Sequence, residues 1–203
     1  MMDEKNVRYI FKRINIKNKY TDFILRYLDE TKRNIDELKF KNKKIYDICN
    51  VLRNSDKVFL CGNGGSSSCA SHISNDFQKM CKLKSICLTD SSSLITAWSN
   101  DDIYDDIFVK QLEILSDSAH DVIMLISGSG NSLNLIKAAE WGIKNERRVV
   151  AILGGDGGKI KKMEEKGVLC LHIDADMQHS EDFHMIVGHM IARMIYEDLQ
   201  NNR

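Results

Sequence analysis

The stretch VFLCGNGGSSS, residues 58–68, decides the fold: a short apolar run meets a glycine- and serine-rich turn, and a helical pattern with no proline follows. This is how a buried strand delivers the chain through a loop into a helix. Comparable runs recur at Ser85–Thr89, Val122–Ser127, Arg148–Leu153 and Val168–Ile173, with helical stretches between them. Five short strands alternating with helices predict parallel βαβ units, hence an α/β fold built on a five-stranded parallel sheet. Ligands of such sheets sit beyond the carboxyl ends of the strands. There the sequence gathers its glycines and hydroxyls, at Gly62–Ser68, Ser127–Ser132 and Gly154–Lys159.

Outside this core pattern the chain changes character. Residues 1–56 contain neither glycine nor proline and carry apolar residues at helical spacing: Tyr20, Phe23, Ile24, Tyr27 and Leu28, then Ile45, Ile48, Val51 and Leu52. They predict a helical hairpin or bundle edge ahead of an α/β domain spanning 57–203. The net charge of zero hides an asymmetry, because residues 1–56 carry 14 basic and 9 acidic side chains and the remainder 15 and 20. An anion bound by the second part is therefore not drawn there by overall charge.

The balanced composition excludes the basic excess of a nucleic-acid binder and the imbalance of a disordered tail. The N-terminus lacks the apolar core of a signal peptide, and no apolar run approaches the ~18 residues of a membrane span. The six cysteines form no C-x-x-C pair, and several lie in strand-like runs, so they read as reduced, buried thiols of a cytoplasmic protein.

Glycine lets backbone N–H groups approach an anion, and serine hydroxyls complete such a cradle without adding charge. Ser127, Ser129 and Ser132 with Gly128 and Gly130 have that composition, which is also that of an ordinary β–α turn. Two nucleotide motifs are absent: Ser67 stands in place of the third glycine of the dinucleotide fingerprint, and there is no G-x-x-x-x-G-K-[ST]. No nucleotide cofactor is expected. His72 and Asp76, four residues apart on the predicted helix after the first glycine loop, share one face and can hold a proton, a metal or a sugar hydroxyl. In the last helix, predicted to start at a Ser180 cap and run to Gln200, His184 reads as a satisfied core or interface residue. His189 lies among Met, Ile, Val and Ala, where a buried ring must find a partner.

Together these residues resemble the sugar isomerase (SIS) domain proteins, and among them the phosphoheptose isomerases. The matching stretches are GNGGS from Gly62 with His72 six residues after it, TAWSNDDIYDDIF with Asn100-Asp101, ISGSGNSLNLIKA from Ile126, GGDGGK from Gly154 and EDFHMIVGHMI from Glu181. The resemblance implies a flavodoxin-like three-layer sandwich with a helical N-terminal extension. It also implies a homotetramer with active sites at subunit contacts, and conversion of sedoheptulose 7-phosphate to D-glycero-D-manno-heptose 7-phosphate for bacterial surface polysaccharide. Substrate-binding roles are implied for Asn63, Gly64, Gly65, Ser66, Asn100, Asp101, Ser127, Gly128, Ser129 and Ser132. Zinc ligation is implied for His72, Asp76, Glu181 and His189, with Asp76 as base, His189 as acid and Glu181 sharing the chemistry. The chain departs from the family at three of these positions: Asp76 replaces a Glu, Glu181 a Gln and Gly128 a Thr. These departures leave open a non-catalytic phosphosugar-binding or regulatory SIS protein, or an isomerase of another phosphosugar.

Overall fold

The computed structural model describes residues 20–201. Contacts divide the chain into two units, one ending at Glu37 and one beginning at Leu38. The described part of the first is most of helix α1 (Thr21–Phe40), on which Phe23, Ile24 and Leu28 are exposed despite their core-like spacing.

In the second unit the order is α2 (Asn42–Arg53), β1 (Val58–Gly62), α3 (Gly65–Lys79), β2 (Ser85–Cys87), α4 (Ser92–Asp101), α5 (Ile107–Leu115), β3 (Val122–Ser127), α6 (Leu133–Lys144), β4 (Arg148–Leu153), α7 (Gly158–Lys162), β5 (Leu169–His172) and α8 (Met177–Asn201). All five strands are parallel, in the order β2-β1-β3-β4-β5. Alternate strand residues feed two separate cores. Val58, Leu60, Met124 and Ile126 pack with α2, α3 and α8, while Phe59, Cys61, Ile123 and Leu125 pack with α5 and α6 on the other face. Helices on both faces leave every residue of β1 and β3 buried, which is why these strands read as continuous apolar runs without polar alternation. The boundary expected at residue 56 falls inside this unit, since Ile45, Ile48, Cys49 and Leu52 of α2 are buried in the first core.

Three local expectations change. Helix α8 starts at Met177, before Ser180. Asp176 does the capping, its Oδ1 accepting from the His179 backbone N–H at 2.9 Å, while the Ser180 hydroxyl turns back to donate to the Asp176 carbonyl at 2.6 Å. His189 is half exposed. The histidine buried on this helix without a partner is His184: neither ring nitrogen has one.

Burial holds the His184 pKa down to about 4. The unfolded chain takes up this proton from about pH 6.5 downward while the folded chain does not, so His184 lowers stability as pH falls between those values. The loss approaches about 3 kcal/mol at pH 4 by that difference. We expect His184→Leu to flatten the acid limb of a urea-denaturation pH profile; an unchanged limb would show that the ring is protonated in the folded state.

All six cysteines are free and buried, and burial is the main cause raising each thiol pKa, to about 12 at Cys170. Thiols this far from ionisation are packing groups with little nucleophilic character.

Candidate active site

The sheet's topological switch point lies between β1 and β3, whose carboxyl ends carry the two loops singled out by composition. In the loop after β3, Ser127 is buried and its Oγ accepts the Gly130 N–H at 3.0 Å. The Ser129 Oγ accepts the Asn131 N–H at 3.3 Å. Both hydroxyl oxygens are thus occupied as acceptors, and their protons remain to be donated to an anion. Ser132 precedes α6 with an extended backbone and makes no side-chain cap bond, so its hydroxyl is also available. Gly128 is covered by Met177, whose Sδ lies only 2.4 Å from where a Cβ would stand. The position at which the resembling family carries Thr is here filled by a thioether from the start of α8. A cavity of about 570 Å³ opens beside the loop, lined by Asn131, by Lys159, Lys161 and Lys162, and by Asp156, Glu164 and Glu165.

The loop after β1 presents Asn63 and Gly64, then α3 begins with Gly65 and the buried Ser66. The Glu181 carboxylate rests on Gly65, where an added Cβ would come within 2.2 Å of Oε1. Asn100 and Asp101 end α4, both exposed, with the Asn100 amide donating to Asp101 Oδ1 at 2.8 Å.

Farther along α3, His72 and Asp76 meet His189 of α8. A built Cβ on Gly188 would come within 2.4 Å of Ile73, so it is the bare glycine that lets the two helices approach and sets His189 against His72. The two Nε2 atoms lie 3.0 Å apart, and Asp76 Oδ2 lies 3.5 Å from His72 Nε2 and 3.7 Å from His189 Nε2. Glu181, two turns earlier on α8, stands apart from this group, so the four expected ligands divide into a cluster of three and one carboxylate at the glycine loop.

The donor set suits a cation. Bonds of about 2.0–2.1 Å in a tetrahedral zinc site imply ligand–ligand separations of about 3.3 Å, and the observed three distances bracket that value. Two neutral imidazoles and a carboxylate are zinc-type ligands, and the half-exposed rings leave a side open for a further oxygen.

Lys161 and His172 went unread in the sequence. Lys161 lies two residues beyond the matched GGDGGK stretch and His172 ends β5, but neither type announces a role without its neighbours.

A doubly wound sheet with an uncharged hydroxyl-and-glycine cradle at its switch point, and no nucleotide fingerprint, defines a sugar-phosphate SIS domain. The SIS domain family model matches residues 19–154. The chain belongs to this family, among the phosphoheptose isomerases. It is 34% identical over 155 residues to the phosphoheptose isomerase of Chlorobaculum tepidum, covering 73% of each chain. It is 33% identical over 168 residues to that of Nitratiruptor sp., covering 80% of this chain and 88% of the relative. The structure of phosphoheptose isomerase from Neisseria gonorrhoeae superposes with a TM-score of 0.79 at 28% identity, over 86% of this chain and 98% of that one.

Proposed function

We infer that the chain is an aldose–ketose isomerase that converts sedoheptulose 7-phosphate to D-glycero-D-manno-heptose 7-phosphate for heptose synthesis. The observation that carries this reading is the convergence of His72, Asp76 and His189 within 4.8 Å of one another. The reaction removes a proton from C1 of the open-chain ketose, gives an enediol, and returns the proton to C2. It needs a base over the carbons and an acid at the oxygens. Asp76 is the base, transferring the proton from C1 to C2, with its carboxylate oriented by the two rings. His189, half exposed beside it, protonates O2 as the C2 carbonyl becomes a hydroxyl and accepts the proton leaving O1. Zinc held by His72, Asp76 and His189 would polarise the sugar oxygens. Glu181 acts from the glycine loop on the sugar hydroxyls, together with Asn63, Gly64 and Gly65. Asn100 and Asp101 complete the sugar contacts.

The phosphate is held by the hydroxyls of Ser127, Ser129 and Ser132, by the Gly128 N–H and from the side of Ser66. That hold fixes the register of the reacting carbons. A seven-carbon chain with phosphate at one end and C1–C2 at the other suits a site whose anion loop and acid–base cluster stand apart. His72 lies seven residues into α3 from its start at the glycine loop, about 10 Å along the axis.

The exposed Phe23, Ile24 and Leu28 support a homotetramer in which the helices within residues 1–56 make subunit contacts and sites at those contacts are built on 57–203. Light scattering should return four copies, and a monomer would remove this part. Six free, buried thiols suit the reducing cytoplasm.

The deciding experiment follows purified protein with sedoheptulose 7-phosphate by NMR, with and without added zinc. New aldose anomeric signals are expected. Ligand binding without them would overturn the enzymatic reading and leave a phosphosugar-binding module.

A further inference from the structure

The loop after β4 runs Gly154-Gly155-Asp156-Gly157-Gly158, four glycines in five residues, and Gly155, Gly157 and Gly158 all hold positive φ. A backbone this free of side chains keeps one conformation only where groups outside it hold it. It also lies directly on the anion loop. The Gly154 N–H donates to the Ser127 carbonyl at 2.9 Å and the Ile160 N–H to the Gly130 carbonyl at 3.0 Å. The Lys159 N–H donates to Asn131 Oδ1 at 3.1 Å, and a Cβ on Gly155 would stand 3.1 Å from the Gly128 carbonyl oxygen. Where the glycine loop sits therefore sets where Ser127, Gly128 and Ser129 present their protons.

Gly155 is held from the segment that ends β5. Its N–H donates to the Ala175 carbonyl at 3.0 Å, and its carbonyl oxygen lies 2.7 Å from His172 Nε2. The other ring nitrogen, Nδ1, lies 3.0 Å from Lys161 Nζ. These partners fix the tautomer. A carbonyl can only accept, so Nε2 carries the proton, and an ammonium can only donate, so Nδ1 is the acceptor. The ring is a strut with both ends used. Its backbone carbonyl accepts from Lys41 Nζ just before α2, which anchors the strand end. Lys161 reaches the ring across Gly157, where a Cβ would meet Lys161 Cδ at 2.5 Å and His172 Cδ2 at 3.1 Å. The bare glycine is what lets lysine and histidine close over the loop.

We propose that His172 is a positioning residue for the phosphate. By binding the Gly155 carbonyl it holds the glycine loop after β4 against the anion loop after β3, and Lys161 orients the ring for that bond. The proposal rests on the phosphosugar reading of the cradle, and on the isomerase reading only for its kinetic readout.

The test compares full-length wild type with His172→Leu, His172→Gln, Lys161→Met and Lys162→Met, titrated calorimetrically with inorganic phosphate and assayed with sedoheptulose 7-phosphate. Leucine fills the space without a donor, whereas glutamine offers an N–H for Gly155 and an oxygen for Lys161. His172→Leu should bind inorganic phosphate about tenfold more weakly, the upper range for one lost hydrogen bond because the freed glycines also gain conformational freedom. KM should rise by a similar factor while kcat stays within about twofold, since His72, Asp76 and His189 stand on α3 and α8. Glutamine should restore phosphate affinity to within about twofold of wild type. Lys161→Met should show a smaller loss than His172→Leu. Lys162→Met, which removes a charge bordering the same cavity, should match wild type. Unchanged phosphate affinity in His172→Leu would overturn the proposal, as would a glutamine variant as weak as the leucine one, the sign of packing and not of a hydrogen bond. Equal losses in the two lysine variants would assign the effect to charge and overturn it too. Should His172→Leu fail to fold, the two lysine variants still decide. Wild type that binds phosphate but yields no aldose would remove the isomerase reading and leave the phosphate titrations to decide the role of His172.

Discussion

Asp76→Asn should lower kcat by about a thousandfold, within the usual range for removal of a positioned general base, while sedoheptulose 7-phosphate still binds. The amide keeps the size and nearly the shape of the carboxylate, so the packing of α3 against α8 around Gly188 and Ile73 is preserved. What is lost is the basic oxygen that faces the two imidazole nitrogens. Binding survives because the phosphate contacts come from Ser127, Ser129 and Ser132 on a different loop. Stopped-flow or NMR turnover beside calorimetric binding separates the two effects. A retained isomerase rate would take Asp76 out of the mechanism. A joint loss of binding and rate would instead make it a ligand contact.

The second large effect is expected at Gly130. Its φ is +62°, and a Cβ there would lie 2.0 Å from the carbonyl oxygen of Gly157. The obstacle is backbone in a neighbouring loop, where no side chain can swing aside, and the Gly130 carbonyl also accepts the Ile160 N–H at 3.0 Å. Gly130→Ala must therefore push apart the loops after β3 and β4, and with them the Ser127 and Ser129 hydroxyls. We expect a loss of about 3 kcal/mol or more, combining the left-handed backbone cost with the clash, hence a fall in Tm of roughly 6–12 °C for a chain of this size. Inorganic phosphate affinity should fall at least tenfold. Gly167→Ala is the control: φ is +94° but nothing lies within 4 Å, so it carries the backbone cost alone. Equal effects at the two positions would show that contact with Gly157 is unimportant.

The strands were legible because a parallel sheet covered on both faces writes an unmistakable pattern: VFLC, VIMLIS and RVVAIL are apolar without polar alternation, and they fall within or upon β1, β3 and β4. Helix α8 was legible in its body and misplaced at its start, since Ser180 has the right chemistry for a cap but Asp176 stands where the chain turns. The face of α1 misled for a different reason. Helical periodicity reports that Phe23, Ile24 and Leu28 share a side, but whether that side is covered depends on what is packed against it.

The site divides in the same way. His72 and Asp76 belong together by spacing alone, because four residues on a helix place two side chains on one face. Their meeting with His189, 117 residues away, follows from the bare Gly188 against Ile73, a contact no local pattern encodes. The separation of Glu181 is likewise tertiary, set by its carboxylate resting on Gly65. The neutral anion cradle was implied by glycines and serines in a part of the chain with a negative balance. The cavity beside it does not change that balance, because Lys159, Lys161 and Lys162 share its walls with Asp156, Glu164 and Glu165. By itself the sequence determined the α/β class, the strand ends that carry the loops and the chemical types available there, because these depend on local periodicity and turn chemistry. Only the tertiary structure decided which of those groups meet and which proton each can give. Hydrogen-bond capacity, as at His172, is settled by neighbours brought from other parts of the chain.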